Sequence, residues 1–135
     1  MASAMYDKGR ERFGNGDVDW VNDTIQATLV NTSLYTPNLA TDEFIADVPS
    51  AAIIMSVTVV GKSNTGGVLD ADETVFPNVA EGVVAGALIL WKNTDFDNSS
   101  PLLAYIDNAP ELPATGEGTD VIVAWDNGAN KVLKL

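Results

Sequence analysis

The carboxylates are the residues of this chain best placed to do chemistry. Asp70, Asp72 and Glu73 crowd into "LDADET", and Asp95 and Asp97 into "DFDN". Loop carboxylates of this kind suit a hard cation such as calcium. Neither stretch has the mid-loop glycine and closing glutamate of a helix–loop–helix calcium site, so both read as solvated acidic turns and no metal is expected. Two carboxylates can also share acid and base roles, as in glycoside hydrolysis, but no spacing here selects a pair. The sequence has no histidine, so a serine nucleophile lacks its usual base, and no motif supports a Ser-Lys pairing. Cysteine is absent as well, which removes thiolate nucleophiles, thiolate metal sites and disulfides together. The glycines of "GNGD" and "TGG" are not followed by the Gly-Lys-Ser/Thr of a phosphate-binding loop. The residues therefore predict a protein that is not an enzyme and carries no cofactor.

Aromatic side chains are the remaining candidates. Trp20, Trp91, Trp125, Tyr35, Tyr105 and Phe76 could line a sugar platform, but they lie within apolar alternation, where core packing is the better reading. The segment "YDKGRERF" differs in being basic and aromatic on an otherwise acidic chain. It reads either as a solvated end or as an arm docked on a neighbouring subunit. In the second case Tyr6 and Phe13 are the anchors, and Lys8, Arg10 and Arg12 the charge partners.

The elements that would hold these residues are mostly strands. Residues 1–20 form a short helix, with Met5, Gly9 and Phe13 on one face, or an arm ordered only by contacts. Few core positions fall in this stretch, so a chain without residues 1–13 is expected to fold. In "TIQATLVNTSLY", Ile25, Ala27 and Leu29 point inward, with Thr24, Gln26 and Thr28 outward, as a strand requires. "TDEFIADVP" suggests one or two helical turns capped by Thr41 and stopped by Pro49. Further strands are expected in "IIMSVTVVGK", around Val68 and Val75, and in "PLLAYID"; "NTGG" is a turn and "NTDFDNSS" a polar loop. The apolar run "GVVAGALILWK" predicts a central strand covered on both faces, with a buried helix as competitor. In "DVIVAWDNGANKVLKL", the Asp126-Asn127-Gly128 turn predicts a closing hairpin. The expected fold is all-β, a sandwich or jelly-roll-like single domain, with the β-domain spanning residues 21–135.

The charge is acidic and uneven. Seven Lys and Arg face 19 Asp and Glu, a net charge of −12 in 135 residues. Lys62 and Lys92 are the only cations between residues 21 and 130. Such a surface repels nucleic-acid backbones and acidic membranes, so neither is an expected partner. No secretory signal opens the sequence and no apolar run reaches the ~20 residues of a membrane helix, which predicts a soluble location. Without a signal, the Asn-x-Ser/Thr matches at Asn22, Asn31 and Asn98 carry little meaning.

The ends of the chain carry a resemblance. "YDKGRERFGNGDVDW", then "TIQATLVNTSLYTPNLATDEFIADVP", and the closing "IVAWDNGANKVLKL" resemble small virion structural proteins of tailed bacteriophages. Tyr6, Asp7, Lys8, Arg10, Trp20 and the run from Trp125 to Lys131 are the family-like residues. Between about residues 51 and 86 the match is the apolar pattern alone. The resemblance implies a capsid cement (decoration) protein on the outer surface of the head, made in the host bacterial cytoplasm. It implies the major capsid protein as partner, along with further copies of the chain as dimers or trimers at capsid symmetry axes. It brings no catalytic residue. The alternatives are a tail-associated virion protein and a carbohydrate- or calcium-binding β-sandwich module.

Overall fold

The computed structural model describes residues 4–125, 128 and 131–135. Its largest element is a five-stranded antiparallel sheet in the order β1-β9-β8-β2-β3. These strands are β1 (Ala4–Met5), β2 (Ile25–Val30), β3 (Ile53–Thr58), β8 (Ala87–Lys92) and β9 (Leu102–Ile106). The central position of β8 follows from its apolar run, buried from Ala87 to Trp91. A strand flanked on both edges and covered on both faces has no solvated side on which to place polar residues. Gly86 separates β8 from the short β7 (Val84–Ala85). At Gly86, where a side chain would collide with that of Thr32, the run changes sheets: β7 pairs outside the large sheet, while β8 pairs with β2 and β9.

Smaller sheets cover one face. They are β4 (Ser63–Thr65), β5 (Val68–Asp70) and β12 (Leu133–Lys134), the pair β6 (Thr74–Val79) and β11 (Thr119–Val123), and the pair β7 and β10 (Ala114–Thr115). Ile25, Ala27 and Leu29 of β2 and Leu88 and Leu90 of β8 meet Leu69, Phe76, Val123 and Leu133 in one buried cluster. The result is a layered, sandwich-like all-β domain with one short N-terminal helix. The opposite face of the large sheet carries Val30, Ala87, Ile89, Trp91 and Leu102, packed against Tyr6, Tyr35, Ile45 and Val48. Thr28, expected to face outward, is fully buried on this face because the 31–52 segment covers it. Its hydroxyl accepts the Trp91 indole N–H at 2.8 Å and bonds the Ser56 hydroxyl at 2.6 Å.

Two local expectations are corrected. Thr41 caps no helix; the turn is a 3-10 turn at Ile45–Asp47, and the Asp47 carboxylate accepts the Glu43 and Phe44 amides at 2.9 and 3.0 Å. The closing hairpin is not the observed pairing either, although its Asp126-Asn127 turn lies outside the described residues. β11 pairs with β6, and β12 with β5. Val123 of β11 and Leu133 of β12 both enter the large core cluster, each beside the strand it pairs with.

Of the two readings of the N-terminal segment the short helix is the one observed, and the correction is that the segment contributes buried positions, Tyr6 and Gly9. Helix α1 spans Asp7–Gly14, β1 extends the sheet beside β9, and the Tyr6 amide donates to the Leu103 carbonyl at 3.0 Å. Gly9 lies directly on β9, where a Cβ would stand 2.7 Å from the Leu102 carbonyl oxygen and 2.9 Å from the Leu103 Cα. The residue that weakens the helix intrinsically is the one that lets it seat. Met5 and Phe13 both pack against the large core cluster, but Met5 does so from strand β1 and not from the helical face expected to carry it.

Candidate functional site

The five residues predicted to contact a partner have different fates. Tyr6 is fully buried and its hydroxyl bonds that of Tyr35 at 2.8 Å, so it anchors the chain to itself and is unavailable to a neighbour. Phe13 is half-buried against the core and lines a cleft of about 390 Å³ with Gly16, Val18, Trp20, Leu69 and Leu135. Arg10 is exposed and pairs with Asp7 at 2.7 Å, while the half-exposed Lys8 lies 3.5 Å from Glu11. Both are intrahelical surface pairs, of little energetic weight and free to exchange partners. Arg12 is committed inward. It donates to Glu43 Oε1 at 3.0 Å, and its guanidinium carbon lies 5.5 Å from the Phe44 ring centroid.

Arg12 braces a turn that in turn holds the β8–β9 loop. The Glu43 carbonyl accepts the Leu102 amide at 2.8 Å, and the Ile45 amide donates to the Ser100 carbonyl at 2.9 Å. Phe44 forms a bridge with Pro101. The loop itself, "NTDFDNSS", is a knuckle built on one carbonyl. Phe96 O accepts the Ser100 hydroxyl at 2.8 Å and the Ser99 amide at 3.1 Å. Ser100, fully buried, also accepts the Thr94 amide at 3.0 Å. The Asp95 amide donates to Asn93 Oδ1 at 2.8 Å, and Asp95 takes φ 75°, a left-handed conformation uncommon outside glycine. On this rigid turn the Phe96 side chain is 69% exposed, the highest exposure among the large hydrophobics described. Sequence reading passed over it. The available signal was an aromatic with no apolar neighbour in an otherwise polar loop.

The first acidic cluster has a structural role. The Trp20 and Trp125 indoles donate to the carbonyls of Asp70 and Asp72 at 3.1 and 3.0 Å, so two buried tryptophans from opposite ends of the chain hold this turn from beneath. Among the described residues no group of three or more His, Cys, Asp or Glu is arranged to hold a metal ion. The mid-chain cations are also spent internally. Lys92 donates to the Asp17 carbonyl at 2.6 Å and pairs with Asp23 at 3.2 Å, and Lys62 donates to the Asp23 carbonyl. Together they tie down the 17–23 loop.

Beneath α1 lies a hydroxyl relay, Tyr6 to Tyr35 to Asp42, in which Tyr35 donates to Asp42 Oδ2 at 2.8 Å. Burial pushes the Tyr6 phenol well above the ordinary tyrosine range, and burial with the Tyr6 hydrogen bond does the same to Tyr35. Folded values above unfolded ones mean that the unfolded chain ionises first on the alkaline side. Stability should be intact below about pH 10 and fall as pH rises beyond it. Thermal melts taken from about pH 8 to about pH 11 should show this decline, and Tyr6→Phe, with one titrating phenol fewer, should flatten it.

No family model matches the chain, and no curated protein is similar to it in sequence.

Proposed function

We propose that this protein is a bacteriophage virion structural protein, a capsid cement protein that stabilises the head by bridging subunits of the major capsid protein. The observation that carries the reading is the pair of terminal motifs resembling such proteins. Three of the family-like aromatics, Tyr6, Trp20 and Trp125, are buried, so these positions help to close the fold on its own ends. In this role the chain is made in the host bacterial cytoplasm and attaches to the outer surface of the capsid, as dimers or trimers at symmetry axes. A net charge of −12 keeps free copies soluble and apart before assembly. Weak contacts repeated around a shell then add through avidity.

The test is to mix purified protein with capsids lacking it and map occupancy by electron microscopy. Saturable density on the capsid exterior is the expected result. Density on tails would make the protein tail-associated instead. Binding to neither, with saturable calcium or glycan binding in calorimetry, would replace assembly with a ligand-binding module.

A further inference from the structure

We propose that the Phe96 knuckle is a docking knob, inserted into an apolar pocket rimmed by lysine or arginine on a partner protein. Single exposed hydrophobics are common and need no explanation. Phe96 differs in how it is presented. An aromatic ring at 69% exposure sits on a turn whose backbone is fixed by Ser99 and Ser100 on one carbonyl. Asp95 holds an unfavourable left-handed conformation beside it. Strained conformations persist where surrounding structure enforces them, and they concentrate at contact sites. With the backbone already fixed, docking has only the ring's own side-chain torsions to order, a small entropy cost for an aromatic anchor.

Charge selects the occupant. Asp95 and Asp97 flank the ring, both exposed, and neither forms an ion pair among the described residues. No Lys or Arg lies between residues 93 and 130. A cationic rim around the receiving pocket would therefore meet two unneutralised carboxylates, steering encounter and fixing orientation. The same carboxylates repel nucleic acid, anionic membranes and the acidic surface of a second copy. The occupant is a protein with a basic-rimmed apolar pocket, and the proposal rests on the virion reading only for the choice of particle in its test.

Wild-type protein, Phe96→Ala and the double variant Asp95→Asn/Asp97→Asn would be titrated against purified capsids lacking the protein and, separately, against purified tails. Co-sedimentation would be read at low and high salt. Phe96→Ala should weaken capsid binding roughly thirty-fold, the size of a hot-spot truncation, with little change in melting temperature because the residue is largely exposed and belongs to neither buried cluster. The double variant should bind more weakly at low salt and lose most of the salt dependence. Equal binding by Phe96→Ala would overturn the knob while leaving the cement role standing. Binding to tails alone, lost in Phe96→Ala, would support the knob and overturn the cement role. Failure of the wild type to bind either particle would overturn both. Self-association in sedimentation velocity, abolished by Phe96→Ala, would assign the ring to a second copy and overturn the basic partner.

Discussion

A chain lacking residues 1–13 should fail to give a cooperative thermal transition. The deletion removes Tyr6, fully buried between the large sheet and the 31–52 segment. Truncating a buried aromatic costs about 3–5 kcal/mol by itself, against a total stability of about 5–15 kcal/mol for a domain of this kind. It also strips β1 from the edge of β9, leaves the Tyr35 hydroxyl with one partner fewer, and bares the strand on which Gly9 sits. These losses fall on one site and share a direction, so they are not rescued elsewhere. Tyr6→Ala should destabilise by about 3–5 kcal/mol, and Tyr6→Phe, which keeps the ring, by about 1 kcal/mol. Circular-dichroism melts of the three variants check the order. A truncated chain melting within a few degrees of the full one would return the segment to the status of a detachable arm.

That status is what the sequence suggested, and the reason is instructive. A terminal stretch with five charges in "YDKGRERF" and a glycine at its centre looks solvated residue by residue. What buries it is long-range: β9 offers a free edge and a bare backbone, and only a glycine can approach them. Local pattern carries no trace of that partner. The same distinction separates the rest of the readings. Strands β2, β3, β8 and β9 were legible because their alternation or unbroken apolarity reflects the sheet faces directly. The pairing of β11 with β6 rather than β12 was not, since a turn signal specifies a reversal of direction and not which strand receives the returning chain. At the candidate site, Lys8 and Arg10 lie at the surface and pair within the helix with Glu11 and Asp7. Arg12 is diverted by Glu43 and Phe44, residues remote in sequence. Phe96 was hidden by its neighbours, because "DFDN" invites attention to its carboxylates and away from the ring they flank.

The C-terminus should be as sensitive as the N-terminus, but only up to a definable residue. Val132 and Leu133 are buried, whereas Leu135 is 53% exposed. Leu133 is the inward residue of β12, paired opposite Leu69 of β5 and packed in the large core cluster. Leu133→Ala should therefore cost about 2–5 kcal/mol, as for other buried leucines truncated to alanine. Ending the chain after Val132 should cost more, because β5 then loses one of its two sheet neighbours and one side of its ladder opens to water. Removing Leu135 alone forfeits a half-exposed side chain and one backbone hydrogen bond, from its amide to the Gly67 carbonyl at 2.9 Å. That loss should stay near 1 kcal/mol. Urea unfolding of the three variants measures the step between them. A steep change between positions 133 and 135 locates the end of the core at β12, while a uniform decline would mean that the last strand contributes through its ladder and not through Leu133. The distinction bears on assembly. A tag appended after Leu135 should leave the domain folded and the Phe96 knuckle presented, so tagged protein can be used in the capsid-binding test without confusing lost stability with lost contact.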